Sequence, residues 1–343
     1  MSTASLGPLP GVNRQFKLAA RPVGLPKESD FALIDSPMPS ASGDQVLVKT
    51  VYLSVDPYMR GRITGVRTYA DPVNIGDVMV GGTVGQVVES PAPEFKPNDF
   101  VTGYWGWQEF AAVSAKGLRK LDPGLAPVST ALGVLGMPGM TAYFGFLDIC
   151  KPQPGETVLV SGAAGAVGSL VGQIAKIHGC RVVGIAGADD KVDWIVNELG
   201  FDAGFNYKTT SDYSAKLKEL CPGGIDCYFD NVGGAITDAV FPLMNVNGRV
   251  SVCGQISQYN LEKPEPGPRP LTAILVKQLK VEGFIVTRFY DRFPEGLRQM
   301  AQWLREGRLN NREQVVEGFE NSVKAFIGML KGENTGKMLV KVG

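Results

Sequence analysis

The run Gly162-Ala163-Ala164-Gly165-Ala166-Val167-Gly168 has the residue types that let a backbone wrap an anion. Apolar Val158–Val160 precedes it. A helical pattern from Ser169 to His178 follows, with Leu170, Ile174 and Ile177 on one face. A second apolar run, Arg181–Ala186, completes a βαβ unit. Unpaired N–H groups at such a helix start, together with the helix dipole, attract a pyrophosphate. Gly165, Ala166, Val167 and Gly168 are therefore the expected pyrophosphate residues. Gly165 lets the phosphates approach, and Gly168 lets the helix pack on the strand. Ala163 stands where G-x-G-x-x-G has its first glycine, so the match is imperfect.

The second strand ends in Gly187-Ala188, followed by Asp189-Asp190-Lys191. A site for NAD places Asp or Glu there, to hold the ribose hydroxyls. A small residue with a cation just beyond suits a 2′-phosphate instead, so the expected cofactor is NADPH/NADP, with Lys191 on its phosphate. Asp189 and Asp190 are expected to cap the next helix.

Metal chemistry is disfavoured by the ligand inventory. Residues 1–149 contain no Cys and no His, which excludes the usual zinc ligands from the first part of the chain. The five cysteines are scattered with no C-x-x-C, which fits reduced thiols in a cytoplasmic protein. The single histidine, His178, falls in the last turn of a helix before Gly179, where the dipole and capping explain it. No metal and no histidine base are expected. Hydride transfer without a Lewis acid favours a conjugated enone or enal, a small-molecule substrate whose β-carbon accepts hydride while charge spreads to the carbonyl oxygen. Tyr259, just after the strand Arg249–Cys253, is the expected donor to that oxygen, since a tyrosine stays protonated at neutral pH. Tyr58, Trp105 and Trp107 are candidates for an apolar wall against a flat substrate. The Pro-rich loop Lys263–Pro270 is a candidate cover.

These residues must be held by two domains. Residues 1–130 read as short strands (Gln45–Leu53, Val78–Val88, Asp99–Tyr104, Gln108–Val113) joined by Pro/Gly turns, as in a compact antiparallel barrel. From Ala131 to residue 304 the texture is α/β. Beyond the βαβ unit, helices are expected at Lys191–Leu199, Tyr213–Leu220 and Ala239–Met244. Strands are expected at Gly204–Tyr207, Asp226–Asp230, Arg249–Cys253 and Lys280–Val286, giving a doubly wound parallel sheet of Rossmann type. Pro294–Arg305 reads as a helix. Met338–Val342 is a last strand, with residues 305–343 returning to the first domain. Lys plus Arg equals Asp plus Glu at 34 each, so no net field attracts nucleic acid or an anionic membrane. The first residues, Met1–Gly11, carry no leader pattern. The apolar region Ala131–Ile149, broken by Pro138 and glycines, reads as buried helix rather than a membrane span.

Several longer motifs accompany this organisation. They are Leu53-Ser54-Val55-Asp56-Pro57-Tyr58-Met59-Arg60, Met137-Pro138-Gly139-Met140-Thr141-Ala142-Tyr143, Phe205-Asn206-Tyr207-Lys208, Phe229-Asp230-Asn231-Val232-Gly233-Gly234 and Gly318-Phe319-Glu320-Asn321. With them the chain resembles the zinc-independent branch of the medium-chain dehydrogenase/reductase superfamily. That branch includes prostaglandin reductases, leukotriene hydroxydehydrogenases, alkenal double-bond reductases and bacterial curcumin reductases. The resemblance spans nearly the whole chain. It implies a GroES-like barrel beside the Rossmann domain, and an NADPH-dependent alkenal/enone reductase that assembles as a homodimer. It also implies that Tyr207 joins Lys191 at the 2′-phosphate and that Asn231 bonds the cofactor near its ribose. Cys253, Gly254, Ile256, Ser257 and Tyr259 would line the nicotinamide half. Phe284 and Val286 would run past the ring, and Asn334 would contact the cofactor from the returning segment. The competing activities are quinone reduction with NADPH, oxidation of a hydroxyl with NADP, and non-catalytic NADPH binding.

Overall fold

The computed structural model describes residues 10–343; residues 1–9, within the stretch read as carrying no leader, lie outside the described residues. The chain forms two compact units. One holds the chain up to Leu132 together with Glu313–Glu333 and Met338–Gly343, and the other holds Gly133–Arg312 with Asn334–Lys337.

The first unit is an antiparallel-sheet domain. β1 (Val12–Leu18) pairs with β2 (Phe31–Pro37), an element the motif reading passed over. β3 (Gln45–Ser54) is followed by the short α1 (Tyr58–Arg62), then by β4 (Thr83–Glu89), β5 (Phe100–Gly103), β6 (Phe110–Ser114) and β7 (Arg119–Leu121). β3 is central, pairing antiparallel with both β4 and β6. Its alternation buries Val46 and Val48 against Val87, Val101, Trp105 and Ala111.

The second unit is the Rossmann domain. Its elements are α2 (Met137–Leu147), β8 (Thr157–Ser161), α3 (Gly168–Ile177), β9 (Arg181–Ala186), α4 (Asp189–Asn197), β10 (Ala203–Asn206), α5 (Tyr213–Leu220), β11 (Ile225–Asp230), α6 (Gly234–Val240), β12 (Met244–Val252), α7 (Leu271–Val276), β13 (Lys280–Gly283) and α8 (Phe293–Arg305). The sheet is parallel in the order β10-β9-β8-β11-β12-β13. Its inner strands are apolar on both faces because helices cover both. Val158, Val160 and Val182 pack in one buried cluster, and Leu159, Val183 and Ile185 in another. Successive strands leave β8 in one direction and β11 in the other. The switch point therefore lies between the carboxyl ends of β8 and β11, where such sheets bind ligands.

The chain then returns to the first unit through β14 (Glu313–Glu317), α9 (Ser322–Leu330) and β15 (Lys337–Lys341). Leu339 of β15 pairs with Ser54 of β3. The expected final strand is thus present.

Several boundaries differ from expectation. Helix α6 begins at Gly234 rather than Ala239, and Met244 already belongs to β12, so the helix read over Ala239–Met244 is displaced toward the amino end. β13 stops at Gly283 because its partners Arg249–Val252 end there; residues 286–292 turn into a short 3₁₀ helix. Asp189 and Asp190 do not cap α4. The cap position is Ala188, with no side-chain hydrogen bond, and both aspartates sit in the first turn, where the dipole favours them.

His178 closes α3, its Nδ1 2.8 Å from the Ile174 carbonyl and its ring edge-on to Trp303, a structural histidine as read. Cys150, Cys180, Cys221 and Cys227 are free and buried, whereas Cys253 is partly exposed. Among the described residues no helix is long and apolar enough to cross a membrane.

Candidate functional site

The carboxyl end of β8 runs into the glycine turn. Gly162 adopts φ +60°, a left-handed conformation that favours glycine. The glycine that the turn requires is therefore Gly162, one residue before the position where the pattern reading sought it. The first intrahelical bond of α3 runs from the Ser169 N–H to the Gly165 carbonyl at 3.0 Å. The amides of Ala166, Val167 and Gly168 precede it, as anion-binding amides do at a helix start. Gly165 and Gly168 serve different ends. A Cβ on Gly168 would overlap the Gly162 carbonyl, so this glycine is demanded by packing. A Cβ on Gly165 would meet only that carbonyl, at 3.3 Å, so the space it leaves suits an approaching phosphate rather than protein.

The returning segment adds to this turn. The Gly336 N–H donates to Ala164 O at 2.8 Å, and Gly336 forms an isolated parallel bridge with Gly165. Asn334, two residues earlier, donates its Nδ2–H to Gly336 O at 2.8 Å. The structure thus brings Asn334 beside the glycine turn.

At the end of β9 the ring of Tyr207 lies over Gly187, its Cε1 2.9 Å from where a Cβ would stand. A side chain there would have to displace the Tyr207 ring, a packing reason for a glycine where an NAD site has its acid. Tyr207 is fixed by its N–H to Ala186 O (3.0 Å) and by Tyr213, whose hydroxyl donates to Tyr207 O at 3.1 Å. Lys191 is buried at 8% exposure. Burial lowers its pKa below the ordinary lysine value; Asp190 opposes this and the neighbouring Lys208 adds to it. Two ammonium groups that repel each other suit a doubly charged phosphate. Lys208 was passed over in the sequence, although it stands in the quoted motif directly after Tyr207.

Across the switch point, β11 ends in Asp230 and the Asn231–Gly234 turn. Asn231 donates from Nδ2 to Ser161 O at 2.7 Å, so its amide side chain spans the two strand ends. The exit from β12 packs on this turn. Cys253 N–H and Gly254 N–H both donate to Asp230 O (2.9 and 3.0 Å), Ile256 N–H to Asn231 O (3.3 Å) and Ser257 N–H to Val232 O (3.1 Å). Asn231, Cys253, Gly254, Ile256 and Ser257 are therefore gathered into one rim.

Tyr259 closes the rim. Its hydroxyl accepts the Gln255 N–H at 3.2 Å, which leaves the hydroxyl proton free to be donated. Burial raises its pKa above the ordinary tyrosine value, so it remains a donor through the physiological range. Burial also pushes the Cys253 thiol up to about 12, which makes it a poor nucleophile. Phe284 is less suited to touch a ligand. Its ring is buried where a side chain on Gly145 would stand, 6.4 Å centre to centre from Phe229, so only its backbone is free to line a site. Val286 begins the 3₁₀ turn and packs against the same core.

In the first unit the aromatic wall differs from expectation. Trp107 is fully buried, stacked on Phe31 and edge-on to Phe16 and Phe326. Trp105 is buried with its Nε1–H on Thr50 Oγ1 at 2.8 Å. Both indoles are core, because the chain bends at Gly106 (φ +77°) and turns them inward. Tyr58, the first residue of α1, is half-buried. Burial raises its pKa well above the ordinary value, with Asp56, Tyr104 and Tyr69 adding to the rise. Tyr69 and Tyr104 are themselves exposed. The exposed aromatics here are thus Tyr69 and Tyr104, with Tyr58 half-buried, and Tyr104 could have been found as the residue flanking the two buried indoles.

A glycine turn opening a helix at the switch point of a parallel sheet defines a nucleotide-binding domain of Rossmann type. Comparison with known proteins refines this. Family models described as “N-terminal domain of oxidoreductase” and “Zinc-binding dehydrogenase” match residues 14–121 and 166–303. The NADPH-dependent curcumin reductase of Escherichia coli (strain K12) is 46% identical over 96% of this chain and 97% of its own. The 2-alkenal reductase (NADP(+)-dependent) of Nicotiana tabacum is 44% identical over 96% and 97%. The crystal structure of CurA from Vibrio vulnificus in complex with NADPH superposes with a TM-score of 0.93 at 45% identity, covering 96% of this chain and 99% of that one. The chain belongs to the zinc-independent branch of the medium-chain dehydrogenase/reductase superfamily and is an enzyme. Among the described residues no group of three or more His, Cys, Asp or Glu side chains is arranged to hold a metal ion.

Proposed function

We propose that this enzyme reduces the carbon–carbon double bond of α,β-unsaturated aldehydes and ketones with NADPH. The observation that carries the cofactor reading is the cradle itself: the Gly165 gap beside the helix-start amides, with Lys191, which feels the charge of Lys208, beyond the end of β9, where Tyr207 covers Gly187. When bound, NADPH supplies the hydride. The chain's own residues then bind, orient and stabilise. Ala166, Val167 and Gly168 offer amides to the pyrophosphate. Lys191 and Tyr207, with Lys208, hold the 2′-phosphate, and the rim from Cys253 to Tyr259 lines the nicotinamide half. The Tyr259 hydroxyl donates to the carbonyl oxygen as negative charge develops there, a preorganised dipole that needs no metal. Tyr58, with Tyr69 and Tyr104, is the aromatic surface assigned to the conjugated part of the substrate. Curcumin and 2-alkenals, named for the relatives, are the substrate classes this reading brings to the chain.

The working form is a homodimer. Among the described residues β13 ends the parallel sheet with one edge unpaired, and the adjacent α7 presents Leu271, Leu275 and Val276 to solvent. An exposed strand edge flanked by apolar side chains is a pairing surface, which a second copy satisfies by symmetry. Free cysteines fit the cytoplasm.

The test is loss of NADPH absorbance with a medium-chain alkenal, a conjugated diarylenone, a quinone and a saturated ketone, with NADH in parallel. Turnover of the alkenal and enone, with NADPH preferred, is expected. Faster turnover of the quinone, or of the saturated ketone, overturns the assignment. Light scattering on the eluted protein measures the dimer.

A further inference from the structure

The carboxylate of Asp230 is fully buried, yet no cation is bonded to it among the described residues; five donors hold it instead. Its Oδ1 accepts from Ser161 Oγ (2.9 Å), Tyr228 Oη (2.8 Å), Val232 N (2.9 Å) and Gly233 N (2.9 Å). Its Oδ2 accepts from Thr237 Oγ1 at 2.7 Å. The network then reaches outward. Ser161 Oγ accepts the Asn231 N–H at 2.9 Å, one residue before the glycine turn begins at Gly162. The Asp230 carbonyl holds Cys253 and Gly254 where the chain leaves β12. One residue therefore ties together the end of β8, the Asn231–Gly234 turn, the start of α6 and the nicotinamide-side rim. Its charge is also felt at Cys253 and Tyr259, whose ionisation it opposes.

We propose that Asp230 is a positioning residue for the cofactor, holding the Ser161–Asn231 junction and the Cys253–Tyr259 rim in register with the pyrophosphate turn. A carboxylate is needed because Oδ1 takes four donors at once, and a charged acceptor bonds them about twice as strongly as a neutral one. A buried carboxylate also costs desolvation, which a merely structural loop would avoid with an apolar residue. This inference rests on the reading of the rim as the nicotinamide half of an NADPH site.

The informative variant is Asp230→Asn. Its carbonyl can keep the four donors at Oδ1. Its amide then faces Thr237, whose hydroxyl can turn to accept, so every bond survives and only the charge is lost. Binding of NADPH and of adenosine 2′,5′-bisphosphate is measured by calorimetry on wild type, Asp230→Asn and Ser161→Ala. The bisphosphate probes the Lys191 end and does not reach the rim. The expected result for Asp230→Asn is about tenfold weaker NADPH binding, because five charge-assisted bonds become weaker neutral ones, with bisphosphate binding within about twofold. Ser161→Ala, which keeps the carboxylate and removes one donor, shows the same pattern at smaller amplitude, and it serves as the test should Asp230→Asn not fold. The KM for NADPH rises in both. Equal weakening of both ligands marks general loosening and overturns the proposal, as does unchanged NADPH affinity in the folded variants. Wild-type protein that binds the bisphosphate but not NADPH overturns the proposal alone; wild type that binds neither overturns the functional reading as well.

Discussion

Replacing Lys191 with alanine separates the two nicotinamide cofactors. Lys191 is buried at 8% exposure and feels the charge of Lys208, and in this account its ammonium meets the 2′-phosphate. A charged hydrogen bond is worth about 1.5–3 kcal/mol. Lys208 remains nearby in the variant, so the lower half of that range applies, roughly a ten- to fortyfold loss. NADH has no 2′-phosphate, so its kcat/KM is expected to change little or to improve, because a buried charge has been removed. The assay is kcat/KM for both cofactors with one alkenal, and the ratio cancels any loss of folded enzyme. The preference also depends on pH, with a definite sign at each end. Burial lowers the Lys191 pKa, so the cation is lost as pH rises, earlier than for an ordinary lysine. The phosphate loses its second charge as pH falls through about 6. Preference for NADPH is therefore greatest between these limits. An unchanged cofactor ratio in Lys191→Ala, or equal losses for both cofactors, refutes the phosphate assignment.

Five further variants have expected outcomes. Gly165→Ala leaves thermal stability nearly unchanged but weakens NADPH, because its Cβ meets only Gly162 O at 3.3 Å on the protein side. Gly168→Ala instead overlaps that carbonyl and costs about 1–3 kcal/mol of stability, seen as a lowered Tm. Tyr259→Phe lowers kcat by roughly a hundredfold, as loss of an oxyanion donor does, with NADPH affinity largely kept; an unchanged kcat removes Tyr259 from the chemistry. Tyr58→Ala raises KM for a diarylenone while stability holds, whereas Trp107→Ala costs about 3–5 kcal/mol of stability as a core deletion.

Much of the second unit was legible because its signals are local. The run Arg181–Ala186 forms a strand over those residues, and Tyr213–Leu220 forms a helix over those residues. A buried parallel strand is written as a continuous apolar run, and its boundaries are marked by small residues. The displaced helix at Gly234 was not legible for the complementary reason. Two glycines opening a helix carry poor intrinsic propensity, and tertiary contacts around Thr237 and Ile236 override it. The inward turn of the Trp105 and Trp107 indoles was not legible, because an aromatic near a turn reads the same whether the bend at Gly106 sends it inward or outward. The Asp230 hub was invisible because its donors lie on Ser161, Tyr228, Val232, Gly233 and Thr237, and only the pairing of β8 with β11 brings Ser161 to it. The absence of an acid at Gly187 was visible in the sequence, while its cause, the overlying Tyr207 ring, was not.

The most direct test of the account follows the hydride. NADPH carrying deuterium at C4 of the dihydronicotinamide is consumed with a conjugated enal, and the product is read by NMR. The account predicts a saturated aldehyde with deuterium on the β-carbon. Deuterium on the carbinol carbon of an allylic alcohol would contradict it, since the enzyme would then be reducing the carbonyl rather than the double bond.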